Sequence, residues 1–174
     1  MGAATVQAQI GTGSSVSYAN AEGGATWNRE DSLSGNTTPS PIPLAAGTDY
    51  SYIKSFVLAV TVTGTTAMTN RTIKYSGGVT GLTISFKDVA QASYAQAASG
   101  NKPADNVGTN GATPSTYTAM TTSAQQWDNT SHATSGSGAN GDLVVCVLGI
   151  DFTYAGGPGN ANSAPTLTLS YDEA

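Results

Sequence analysis

The side chains that could carry chemistry are few and widely spaced. The 174 residues include one histidine, His132, and one cysteine, Cys146. A zinc centre needs clustered Cys, His or carboxylate ligands, and His132 has no neighbour at ligand spacing. A hard cation needs several carboxylates or carbonyls close together. Asp105, Asp128, Asp142 and Asp151 are instead spread over expected loops and strand ends. A serine–histidine–aspartate relay can be drawn on paper around His132. No Gly-x-Ser-x-Gly turn is present, however, and the surrounding Ser and Gly residues predict a solvated loop histidine. Glu22, Glu30 and Glu173, the three glutamates, lie near the two ends rather than as a facing pair for glycoside hydrolysis. No glycine-rich phosphate loop leads into a helix. The expectation is a chain that is not an enzyme and takes no cofactor or metal. Cys146 lies in the most apolar stretch and reads as a small core hydrophobe. Being single, it excludes an intrachain disulfide.

Binding chemistry leaves more to weigh. Six basic residues against eleven acidic ones give a net charge of −5. Nucleic-acid binding is driven by phosphate neutralisation and wants a basic patch. Lys54, Arg71, Lys74 and Lys87 are too sparse for one, so no nucleic-acid partner is expected. The densest charged run, Trp27-Asn28-Arg29-Glu30-Asp31-Ser32, abuts a tryptophan. It reads either as a salt-bridged turn beside a packed ring or as a protein interface, since Trp and Arg are enriched at binding hot spots. Trp27, Arg29, Glu30 and Asp31 are therefore the candidate interface residues. Trp27 and Trp127 could also serve as sugar-stacking platforms. Asn36, Asn70 and Asn129 each open an Asn-x-Ser/Thr sequon, which matters in a glycosylating host.

The elements that must carry these residues are strands. Val144, Cys146, Leu148, Ile150, Phe152 and Tyr154 fall on one face of a period-two pattern, and Leu143, Val145 and Val147 begin the other. Such a run is expected to be a central strand, buried on both faces at its start. Tyr52 to Thr63 reads the same way, with Phe56, Leu58, Val60 and Val62 on one face. Shorter strands are expected at Arg71–Tyr75, Leu82–Lys87, within Tyr117–Trp127, and at Pro165–Tyr171, where Leu167, Leu169 and Tyr171 face inward. Ala90–Ala98 fits a short helix or a strand. Residues 100–114 and 128–142 read as loops. The fold class expected is all-β, an antiparallel β-sandwich or jelly-roll-like domain with an extended N-terminal arm. Residues 1–48 form the arm and a Pro-rich connector; the arm holds two weak strand candidates, Thr5–Ile10 and Val16–Tyr18, and Pro39, Pro41 and Pro43 forbid a central strand or a helix in residues 33–49. Residues 49–174 form the sandwich. The start of the chain has neither a basic segment nor an apolar run, so no signal peptide is expected. No stretch reaches transmembrane length, so no membrane partner is expected either.

Several segments together resemble a small virion structural protein of tailed bacteriophages. They are the run Trp27–Ser32, the Pro41-Ile42-Pro43 connector, the strand from Tyr52 with Asn70-Arg71 after it, and the ending Leu169-Ser170-Tyr171-Asp172-Glu173. The resemblance is of style and order and carries no catalytic signature. It implies a particle component located in the virion: a capsid decoration (cement) protein binding the major capsid protein or other virion proteins, or a tail- or neck-associated one. Only 10% of residues are charged, so little charge need be desolvated at a contact. A symmetric lattice implies a homo-oligomer, with a trimer as the expected count. The competing class is a carbohydrate- or surface-binding module. If the arm wraps a neighbour, deleting residues 1–38 should leave a folded domain that no longer binds particles.

Overall fold

The computed structural model describes residues 3–12, 17–21, 27, 48–51, 53–77, 80–94, 117–151, 153 and 165–174. Their strands are β1 (Thr5–Thr12), β2 (Ser17–Asn20), β3 (Thr48–Tyr50), β4 (Lys54–Val62), β5 (Ala67–Ser76) and β6 (Leu82–Val89). After a single 3-10 turn at Gln91–Ser93 come β7 (Thr118–Ala119), β8 (Gln125–Asp128), β9 (His132–Ala133), β10 (Gly138–Asp151) and β11 (Thr166–Glu173). Every strand pairing is antiparallel. A larger sheet runs β2-β1-β4-β10-β6-β7, with β3 beside the end of β10. A smaller sheet runs β11-β5-β8, with β9 also on β5.

Alternation along the strands brings the two sheets to one core. Phe56, Leu58 and Val60 of β4, Ile84 and Phe86 of β6, and Val144, Cys146 and Leu148 of β10 form a cluster with Met68, Ile73 and Trp127 of the smaller sheet. Leu167, Leu169 and Tyr171 of β11 pack against it, partly buried. The opposite face of β10 is also covered. Val145 and Val147 join Ile53, Val89 and Tyr117 in a second cluster. Residues 143–148 are all buried, as the two-sided apolar pattern predicts. Beyond them, Ile150 closes the ladder against Leu82, while Phe152 and Tyr154 lie outside the described residues. β6 is half-buried as expected, with Leu82, Ile84 and Phe86 inward and Thr83 exposed. Val62 departs from its pattern and is 57% exposed, because it falls at the last position of β4.

Residues 5–12 and 17–20 do not stand apart as an arm. β1 runs beside β4 from Gly11 opposite Ser55 to Thr5 opposite Val62, and β2 folds back on β1. Ser55 Oγ donates to Gly11 O at 2.7 Å, and Tyr18 donates its hydroxyl proton to Gln91 Oε1 at 3.0 Å. Ile10 is buried in the main core. The expected boundary between residues 48 and 49 falls within β3, which pairs with β10. The physical reason is that β4, paired with β10 along one edge, would otherwise leave the N–H and C=O groups of its other edge unpaired, and β1 pairs with them. The Pro-rich connector lies outside the described residues. The expected loop 128–142 is also shorter than predicted, since β9 and the first residues of β10 are strand within it.

Two bulges re-aim side chains. Asn70 has φ +46, a left-handed conformation that Asn tolerates better than most residues. It adds one residue to β5 relative to β11, so Asn70 and Arg71 together oppose Tyr171. The inserted residue shifts the parity of β5. Met68 and then Arg71 and Ile73 all face the core. In β10, Gly141, Asp142 and Leu143 together stand against Val57 of β4. Gly141 has φ +77 there, which favours glycine.

Candidate functional site

Of the expected interface residues, Trp27 is partly buried against the main core. Its ring centroid lies 6.2 Å from that of Phe56 at an interplanar angle of 52°. Arg29, Glu30 and Asp31 lie outside the described residues. Trp127 is buried, and the guanidinium carbon of Arg71 lies 4.6 Å from its ring centroid. That ring face is occupied by a cation and is closed to a sugar.

The bulges gather a polar cluster that the sequence does not announce. Arg71, fully buried, is turned inward by the Asn70 bulge and forms an ion pair with Asp128 at the end of β8. Its Nη1 donates to Asn140 O at 2.7 Å, and its Nη2 contacts His132 Nε2 on β9. His132 Nε2 lies 3.2 Å from an Asp128 carboxylate oxygen. Asp128 also accepts the Thr130 N–H at 2.6 Å, in a local turn. A Cβ at position 141 would collide with the guanidinium, so the glycine of the β10 bulge makes room for it. Gln91 Nε2 donates to Gly141 O and ties the 3-10 turn to the same bulge. The cluster therefore joins β5, β8 and β9 of the smaller sheet to β10 of the larger one.

The charges follow from this enclosure. Burial lowers the Arg71 pKa to about 10, against Asp142 and Asp88, which raise it; the guanidinium stays charged at neutral pH. His132 is lowered from its ordinary value by burial and then by Arg71, with Asp142 opposing. It is therefore neutral at pH 7, with Nε2 free to accept from Arg71. Protonation would turn Nε2 into a donor toward Asp128, in competition with Arg71. Asp88, exposed at its surface but near Asp142, is raised by desolvation and by that neighbour. Cys146 is fully buried, and burial pushes its thiol up, which suits a packing role. His132 is thus no solvated loop histidine. Arg71, Asp128 and His132 lie 57 and 4 residues apart in order, and period-two patterns do not reveal such pairings. The available signal was Asn70-Arg71 itself, a bulge-prone residue before a cation in a β-rich run. Among the described residues, no three His, Cys, Asp or Glu side chains gather as metal ligands. No helix among them is long and apolar enough to cross a membrane.

The outward face of the smaller sheet has a different character. Register places Ser76 beside Thr166, Lys74 beside Thr168, and Thr72 beside Ser170 and Gln126. Ser76, Thr166, Ser170 and Gln126 are exposed, and Thr72 and Thr168 are half-buried. Amides extend the row. Gln126 Nε2 donates to Asn70 Oδ1 at 2.7 Å and lies 3.1 Å from Asn129 Oδ1, and Asn70 Nδ2 donates to Asp172 at 2.8 Å. The result is a hydroxyl- and amide-covered sheet face with the exposed Lys74 in its middle, on β5, and Asp172 toward one end. Comparison of the chain with protein-family models, curated proteins and solved structures found no match.

Proposed function

We propose that this chain is a non-enzymatic structural component of a bacteriophage virion, a β-sandwich of the capsid decoration (cement) type that stabilises the head through contacts with the major capsid protein. The shared core between two antiparallel sheets supports the sandwich reading. The observation that carries the function is the outward face of the smaller sheet. Apart from Lys74 and Asp172, its hydroxyls and amides can exchange water for partner hydrogen bonds without the desolvation cost of charges. Arg71 and His132, both shifted by burial, meet with Asp128 in a largely buried cluster that joins the sheets. Trp127 is buried under Arg71 and Trp27 is partly buried against Phe56, which favours the protein-contact reading over a carbohydrate-binding one.

The test is fractionation of phage particles on a density gradient. The protein should band with the particles, and gold-labelled antibody should decorate heads. Label on tails or necks would move the role to a tail-associated component. Recovery of the protein only in the particle-free fraction would sink the reading. A double variant, Ser76→Lys with Gln126→Lys, adds charge to two exposed positions of the face. It should keep its melting temperature and lose particle binding.

A further inference from the structure

β11 forms one edge of the smaller sheet, and among the described residues it pairs with β5 alone. We propose that this edge is a self-association site, at which β11 of a second copy of the chain adds antiparallel about a two-fold axis. The inference does not depend on the virion reading.

Main-chain direction decides which groups are available. Ala67 and Ala174 exchange two hydrogen bonds, each of 3.0 Å. Alternation then turns the even-numbered residues of β11 toward β5 and the odd-numbered ones toward the open edge. The Tyr75 N–H agrees, because opposite Leu167 it points away from β11, to Thr121 O at 3.2 Å. The extra residue of the Asn70 bulge lies on β5 and leaves the parity of β11 intact. Leu167, Leu169 and Tyr171 thus present N–H and C=O groups at the edge. Their side chains face the core side but are only partly buried.

Among the described residues, the edge shows none of the usual protection. Natural edges are blunted by Lys, Pro, bulges or inward charges. From Thr166 to Tyr171 the strand is Thr-Leu-Thr-Leu-Ser-Tyr, uncharged and free of proline. Its two charges, Asp172 and Glu173, sit together at one end. That asymmetry selects the geometry. A parallel, in-register pair would set the carboxylates side by side at about 4.8 Å. An antiparallel pair centred on Leu169 separates the two copies of Asp172 by about 20 Å, six residues at the strand rise. In that register Leu169 faces its own copy and Leu167 faces Tyr171, so all three outward pairs are hydrogen-bonded. Apolar side chains then meet across the seam and finish the burial that one copy leaves partial. Any odd shift would place inward side chains against outward ones. A two-fold pair builds even-numbered assemblies, in place of the trimer expected from the sequence.

The register gives a direct test. Thr168 and Ser170 lie on the outward sheet face, away from the core, and would oppose each other across the seam as a non-hydrogen-bonded pair. Their Cα atoms would then be about 4.5 Å apart, close enough for a disulfide. Two single variants, Thr168→Cys and Ser170→Cys, are oxidised separately and as an equimolar mixture. Disulfide-linked dimer should form at least several-fold faster in the mixture than in either variant alone. Equal rates in all three samples, or no dimer in the mixture, would overturn the proposal. The unmodified chain provides a second readout by amide exchange. The Leu167, Leu169 and Tyr171 amides should gain protection as concentration rises, while the Thr168 and Ser170 amides stay protected throughout. Concentration-independent exchange at the three odd-numbered amides would also overturn it.

Discussion

At the residue scale, the buried Arg71–Asp128–His132 cluster is the feature with the largest expected consequences. Removing one member of a buried ion pair strands the other charge, at a cost of about 3–5 kcal/mol. Asp128→Ala should therefore lower the denaturant midpoint steeply, as measured by urea unfolding. His132 adds a pH dependence whose sign follows from its lowered pKa. The folded state holds the proton less tightly than the unfolded state, whose histidine titrates near 6.5. Protonation thus favours unfolding, and stability is full above that value and lost as pH falls below it. The groups facing His132 are Arg71, Asp128 and, at longer range, Asp142. The melting temperature should fall between pH 7.5 and pH 5, and His132→Gln should flatten that slope; parallel slopes for the two proteins would refute the assignment. Gly141→Ala should cost about 1–3 kcal/mol, because alanine is strained at that φ and its methyl meets the guanidinium. Beyond the Asn70-Arg71 pair, this cluster leaves no signal in the sequence. His132 lies among Ser and Gly residues that suggest a solvated loop, and its two partners come from other strands.

At the element scale, legibility follows burial. The strands β4, β6, β10 and β11 were readable because their apolar residues alternate or run continuously, and the core they form is the one expected. β5 was read short, as Arg71–Tyr75. The bulge at Asn70 breaks the period of two and hides the continuity with Met68. β1 covers the weak strand candidate at Thr5–Ile10, whose apolar face is small and incomplete: Val6, Ala8 and Ile10 alternate with Gln7 and Gln9, and only Ile10 is fully buried. Its place in the sheet comes from the unpaired edge of β4, a property of the partner that β1 itself does not encode. The consequence for truncation reverses the sequence expectation. Deleting residues 1–21 should remove two strands, uncover the edge of β4 and expose Phe56, giving loss of the cooperative melting transition by circular dichroism. A shortened chain that melts with the full-length midpoint would show that the β1–β4 pairing is dispensable. β9 was missed because two residues carry no period at all.

At the scale of the whole molecule, the low charge content of the sequence agrees with the hydroxyl- and amide-rich outward face of the smaller sheet, while the two-sheet arrangement that displays it depends on pairings between distant strands. The position of β10 has a further consequence, in time rather than in space. It lies between β4 and β6, which end at Val62 and Val89, well before it begins at Gly138, and which are not neighbours in the sheet. A chain emerging from the ribosome therefore carries both strands, with their apolar faces, before the strand that joins them exists. Folding of the larger sheet must wait until residues 138–151 have cleared the exit tunnel, and non-local strand pairing of this kind takes milliseconds to seconds. Until then those apolar faces are open to other nascent chains, and only the hydroxyl-rich, proline- and glycine-interrupted segments between them oppose aggregation. Chains stopped at residue 137 should accordingly collect in the insoluble fraction, and supplying the missing strand as a peptide during synthesis should return part of them to solution.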